Sequence, residues 1–179
     1  AKSAKTLHPS QLRPHFAKFP AAVQKAADAF LATLDADAAK QAARLDALLA
    51  ELTKLGGDQR RGQAVFNGTK AACSVCHQIG YLGGNVGPSL TEIGKARTER
   101  DLLEAIVYPS ASFVRSYEST LLTLKGGEQL NCLVKRETAD ELTVVTGPGA
   151  EQHYRRSEVE ATQPGMISVM PGGLDEQLT

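Results

Sequence analysis

Residues 71–80 read AACSVCHQIG. Cys73 and Cys76 stand three apart, and His77 follows the second without a gap. A cluster of this kind can hold zinc, close a small disulfide or tether a haem, and each choice specifies a different protein. The surrounding sequence has to decide among them.

The chain has 179 residues, enough for one sizeable domain or a compact domain with an attachment. Its 20 basic and 20 acidic residues cancel, so the balance points to neither nucleic acid nor an anionic membrane surface as a partner. Tryptophan is absent and aromatics are scarce. A core of Ala, Leu and Val with few rings would gain from one large apolar body at its centre. No stretch approaches the ~18 consecutive apolar residues of a membrane span. The N-terminal AKSAKTLHPS carries charge without an apolar run and is not a signal peptide, so the expectation is a removed leader or a piece of a longer chain. Three cysteines are too few for a disulfide framework.

Upstream of the cluster the pattern is helical. Val23, Ala27, Phe30, Leu31 and Leu34, then Leu45, Leu48, Leu49, Leu52 and Leu55, recur at three- and four-residue steps. Pro20 suits the start of this run and Gly56-Gly57 its end, while Asp35-Ala-Asp37 either breaks it into two helices or leaves it continuous. The expectation is a packing or spacer element over residues 1–56, with His8 and His15 solvated. Asp58 can cap a short helix carrying GQAVF, residues 62–66, that leads to the cysteines. Residues 80–90, GYLGGNVGPSL, have the glycine content that lets backbone approach a flat ligand closely. TERD, residues 98–101, has capping-box spacing and opens a helix that ends before Pro109. From Tyr117 to about Val159 the period changes to short β-type runs, YESTLLTL, QLNCLV, LTVVT and QHYRR, separated by turn residues. This stretch predicts roughly four antiparallel strands.

Structural zinc takes four ligands, usually as two pairs from separate elements, whereas this chain has one C-x-x-C. Cys132 lies alone in an expected strand and reads as a buried apolar thiol. A redox C-x-x-C prefers a βαβ context, and the helix expected before Cys73 argues against one. A c-type haem needs two thiols that reach its two vinyl groups and an adjacent imidazole that ligates iron from the same side. C-x-x-C-H meets both needs, and the spacing favours haem over zinc and redox chemistry.

GQAVF, CSVCH and GPSL together resemble the cytochrome c family. The resemblance places Gly62 and Phe66 on a helix that packs against the last helix, and gives the Pro88 carbonyl to the proximal His77. A hydrogen bond to the far ring nitrogen would fix the tautomer and direction of a metal-bound imidazole. Over most of the chain, GDQRRGQAVF, CSVCHQIG, GPSLTEIG, LLEAIVYPSASF and SVMP resemble the haem-binding domain of Planctomycetes and Verrucomicrobia. That resemblance implies an α+β fold over residues 57–179: a mainly α-helical cytochrome c-like core interrupted by a β-rich insertion at about 116–160. It also implies a helix after MP, of which the sequence carries only a beginning, and fusion to or partnership with a dehydrogenase. Covalent haem attachment implies export, to the periplasm or beyond.

His77 is the expected proximal iron ligand, with one haem c attached through Cys73 and Cys76. For the sixth position Met170, in the S-x-MP stretch SVMPGG, is preferred over Met166, His153 and an open or water-bound site. The expected function is a monohaem domain carrying single electrons, not an enzyme. The alternative is a haem sensor or enzyme whose open or labile sixth site binds a small gas or peroxide. A third reading makes the haem structural and the β insertion a recognition module.

Overall fold

The computed structural model describes residues 9–178, so His8 lies outside the described residues. The chain divides into two units, Ala1–Gly56 and Gly57–Thr179, each taken by itself below.

In the first unit helix α1 (Pro9–Phe16) precedes the 35-residue α2 (Ala21–Leu55). The Asp35-Ala-Asp37 stretch does not interrupt α2. Residues 21–55 contain neither glycine nor proline, and two aspartates in an Ala- and Leu-rich helix cost only tenths of a kcal/mol each, roughly. Pro20 stands at the start, where its missing N–H would be unsatisfied anyway. Gly56 closes the end at φ +67 and ψ 157, a backbone conformation that favours glycine, and donates its N–H to the Leu52 carbonyl at 3.1 Å. Ala27, Leu31, Leu34 and Leu45 are buried, while Val23, Phe30, Leu52 and Leu55 are exposed. The buried stripe is therefore narrower than the apolar periodicity of the sequence. His15, in the last turn of α1, is exposed as expected.

The second unit begins with α3 (Gln59–Asn67), capped by the Asp58 carboxylate, which accepts from the N–H groups of Arg60 and Arg61. The turn α4 (Cys73–Cys76) and a tight hairpin, β1 (Gln78–Ile79) with β2 (Leu82–Gly83), follow. Two short helices come next, α5 (Ile93–Ala96) and α6 (Glu99–Val107). Thr98 and Asp101 form the capping box of α6, each side chain accepting from the other residue's N–H. Those bonds from Thr98 hold the Asp101 carboxyl below the usual carboxylate range.

Five antiparallel strands then form one sheet: β3 (Thr120–Leu124), β4 (Gln129–Glu137), β5 (Glu141–Val145), β6 (Glu151–Arg155) and β7 (Val159–Pro164). Their order is β6-β5-β4-β3-β7, so the last strand returns to pair with the first. This fifth strand exceeds the roughly four expected. Its sequence, VEATQP, lacks a sustained apolar alternation because it is an edge strand with one half-buried row. Leu122, Cys132, Leu142 and Val144 form the sheet's core, flanked by Leu124, Leu130, Val134, Tyr154 and Val159. Cys132 is fully buried there, and burial pushes its thiol up. Leu133, Thr143 and Val145 are buried too, so the middle of β4 and β5 is covered on both faces. A register shift between Val134 and Arg136 makes Lys135 the extra residue of a bulge. The chain ends in the short α7 (Leu174–Gln177), which packs against α6 through the buried Leu174. No helix of the described residues is long and apolar enough to cross a membrane.

Leu142 is 1% exposed at the centre of the sheet core. Leu142→Ala is expected to lower unfolding stability by about 2–5 kcal/mol. The exposed Leu55→Ala should stay within about 0.5 kcal/mol of the parent in the same denaturant titration.

Candidate functional site around Cys73, Cys76 and His77

The site is built on one turn. Ala72, at φ +50, is a non-glycine residue in the left-handed region, and it redirects the chain into α4. Cys73 and Cys76 are separated by one helical turn and so lie on the same side of it. Both are free thiols and both are half-buried. Burial pushes the Cys76 thiol up, and the neighbouring Cys73 adds to the rise. His77 closes the turn by donating its N–H to the Cys73 carbonyl at 2.9 Å, then leaves in an extended conformation.

The imidazole of His77 is held from one side. Its Nδ1 lies 2.8 Å from the Pro88 carbonyl oxygen. A carbonyl can only accept, so Nδ1 carries the proton and donates, and in the neutral ring Nε2 then presents its lone pair. That is the tautomer a metal-binding histidine needs. Pro88 comes back beneath the ring because its loop is stitched to the cysteine turn. Gly84 donates to the Ser74 carbonyl, Gly87 to that of Cys76 and Leu90 to that of Gln78, each at 2.8 Å.

The glycines of this loop explain themselves at that seam. A Cβ on Gly87 would stand 2.4 Å from His77 Cε1, one on Gly84 1.9 Å from the Val75 oxygen, and one on Gly83 2.2 Å from the His77 oxygen. The close approach anticipated from the glycine content is thus an approach to the chain's own Cys-x-x-Cys-His turn and imidazole.

Cys73, Cys76, His77 and Pro88 are brought together by these contacts. Met170 stands on a separate loop, half-buried, with its N–H donated to Ser168 Oγ at 3.1 Å. Ser168 donates its own N–H to Ser110 Oγ, just beyond α6, at 3.0 Å. Met166 is exposed on the same loop. His153 is exposed on the edge strand β6, with Nδ1 2.9 Å from Glu141 Oε1 and Nε2 3.6 Å from Glu151 Oε1. Its two ring nitrogens are therefore turned to carboxylates of the sheet.

These residues fit a haem. Two same-side thiols and one imidazole lone pair are the donors it uses, and the helical part of this unit is apolar without being closed. Among its described residues only Val107 and Leu174 are buried hydrophobics, while Val65, Val75, Ile79, Ile106 and Ile167 remain more than a third exposed. No group of three or more His, Cys, Asp and Glu that could hold a bare metal ion occurs among the described residues.

No family model matches the chain. It is similar to a cytochrome c-553-like protein of Synechocystis sp., 34% identical over 62 residues. The match covers 35% of this chain and 55% of that protein, so the chain spans about half the length of the relative. This distant, partial similarity supports a c-type cytochrome.

Contacts that hold the site from afar had no signal in the sequence. Ser110, Asn131 and Lys135 belong to this group, because each meets its partner across 36 or more residues. Gly87→Ala is expected to lower stability by about 1–3 kcal/mol, since the ring it would strike is pinned by Pro88. Nitrogen NMR of His77 should show the Nδ1–H tautomer lost. Gly94→Ala, on α5 with open space around it, should be neutral or slightly stabilising.

Proposed function

We propose that this chain is a monohaem c-type cytochrome domain that carries single electrons. The observation that carries this reading is the hydrogen bond from His77 Nδ1 to Pro88, which leaves Nε2 as the ring nitrogen that can act as a ligand. In this reading residues 57–179 form a cytochrome c-like core with the five-stranded sheet inserted into it, and residues 1–56 are a helical extension. Cys73 and Cys76 hold one haem c through thioether bonds, and His77 is its proximal ligand.

The haem supplies a one-electron iron couple. What the chain supplies is position and polarity. Pro88 keeps the imidazole oriented and raises its basicity, because a donated Nδ1–H places more electron density on Nε2. Gly87, lacking a Cβ, lets the loop lie directly against the ring. Met170 is the proposed sixth ligand, and a thioether there favours the ferrous state relative to a second imidazole. Its support is the half-buried position and the anchoring of its loop by Ser168, against the exposure of Met166 and the carboxylate contacts of His153. With His77 and Met170 both holding the haem, substrate would not reach the iron, and the protein would exchange electrons with a partner or fused dehydrogenase. Covalent haem attachment places the domain outside the cytoplasm, in the periplasm or exported.

The test is the visible spectrum of the reduced protein with and without carbon monoxide. The parent should show a six-coordinate spectrum that ignores the gas, and Met170→Ala should bind it. A parent that binds carbon monoxide readily would replace the carrier with a gas- or peroxide-binding protein. Cys73→Ser combined with Cys76→Ser should remove the haem mass from the denatured polypeptide.

A further inference from the structure

Strand β4 touches both loops that the haem reading assigns to the two sides of the iron. At one point Asn131 Nδ2 donates to the Ile167 carbonyl at 3.0 Å, in the loop that leads to Met170. At another, Lys135 Nζ donates to the carbonyls of Asn85 at 2.6 Å and Val86 at 3.2 Å, immediately before Gly87 and Pro88. The two donors stand four positions apart on the strand, about 13 Å of extended chain. Alternation turns Leu130, Cys132 and Val134 into the sheet core and leaves Asn131 and the buried Leu133 on the opposite face. Lys135 is the bulged residue, at which the regular pairing of β4 with β5 is interrupted. Its ammonium also stands 5.3 Å from the centre of the Tyr117 ring, which limits where the long side chain can go.

The strand itself is firmly held. It lies between β3 and β5 in the sheet, with Cys132 fully buried on one side and Leu133 on the other. The methionine loop is tied to the sheet a second time, through the Gly165 N–H donated to the Ser119 carbonyl at 2.7 Å. A Cβ on Gly165 would stand 2.4 Å from Ser119 Oγ, so the chain passes there without room for a side chain.

We propose that β4 is a brace between the two loops, with Asn131 and Lys135 as positioning residues that set the methionine loop and the Pro88 loop against one rigid strand. The inserted sheet then serves the metal site directly: it fixes where the sixth ligand stands relative to the proximal one. This rests on the haem reading for its meaning, but the mechanical coupling is a property of the chain alone.

Amide hydrogen exchange on the full chain as purified tests the brace. The reporters are the N–H of Gly87 for the proximal loop and those of Ser168 and Met170 for the methionine loop, with Val144 as the sheet control. Asn131→Leu should speed exchange at Ser168 and Met170 by about three- to tenfold and leave Gly87 and Val144 unchanged. Lys135→Met should do the reverse, and Lys135→Arg should restore Gly87 protection. In the haem-loaded protein Asn131→Leu should also let the ferrous iron bind carbon monoxide. Unchanged loop amides in both variants would overturn the brace. So would acceleration that spreads equally to Val144 in both Asn131→Leu and the smaller Asn131→Ser. A parent whose mass lacks haem would instead remove the haem reading, and the exchange pattern of that same chain would still decide the brace.

Discussion

The hydrogen bond between His77 Nδ1 and the Pro88 carbonyl is the interaction on which the site depends. It selects one tautomer of one imidazole, and with it the direction of the remaining lone pair. A bond of this kind is worth only about 1 kcal/mol net in water-exposed surroundings, so it cannot orient a ring by itself. It is maintained because the loop that bears the carbonyl has no freedom to leave. Three backbone bonds join that loop to the cysteine turn, and glycines at 83, 84 and 87 allow an approach no other residue could tolerate. The bond is the end of a chain of constraints that begins with the absence of three Cβ atoms.

Burial is distributed unevenly through the second unit, and the unevenness has a consequence. The sheet has a closed core of its own, with Leu122, Cys132, Leu142 and Val144 almost inaccessible. The helical part buries little, and several of its aliphatic side chains are half-open. In the proposed function a haem is the body those side chains pack upon, so cofactor and core are the same object there. The sheet, which needs no cofactor to close, is then the rigid element against which the looser helical part can be set. Ser119 fits this division less well: its hydroxyl is buried and finds no hydrogen-bond partner, pressed against Gly165 where the methionine loop leaves β7. The structure offers no compensating contact for it.

Similarity to a cytochrome c-553-like protein covers about a third of the chain. The candidate iron ligands differ in their surroundings. His153 has both ring nitrogens facing glutamates on a sheet edge, Met166 is exposed, and Met170 is half-buried on an anchored loop. The same histidine chemistry is thus put to different uses at two places in one unit: at His77 a carbonyl fixes the proton, and at His153 carboxylates surround the ring.

Local chemistry was legible from the sequence wherever the deciding partner lies within a turn or two. Asp58 and Thr98 announce helix starts because a capping side chain bonds N–H groups two or three residues away. Cys73, Cys76 and His77 announce a site because thiols one helical turn apart and an adjacent imidazole can act on one bound group. Even the link to Pro88 could be expected, once the resemblance supplied a role for that carbonyl. The continuity of α2 through Asp35 and Asp37, the helix at Pro9–Phe16 and the fifth strand could not be read in the same way. The fifth strand depends on pairing with β3, distant in sequence, while the two helices turn on weak local preferences: α1 carries Pro14 within it, and two aspartates cost α2 too little to break it. The tertiary structure alone decided that Gly83, Gly84 and Gly87 face the chain's own turn, and that Asn131 and Lys135 reach loops 36 to 50 residues away. The physical reason is that a side chain's donors are written in the sequence, whereas the acceptor it meets is chosen by where the fold brings a remote backbone carbonyl.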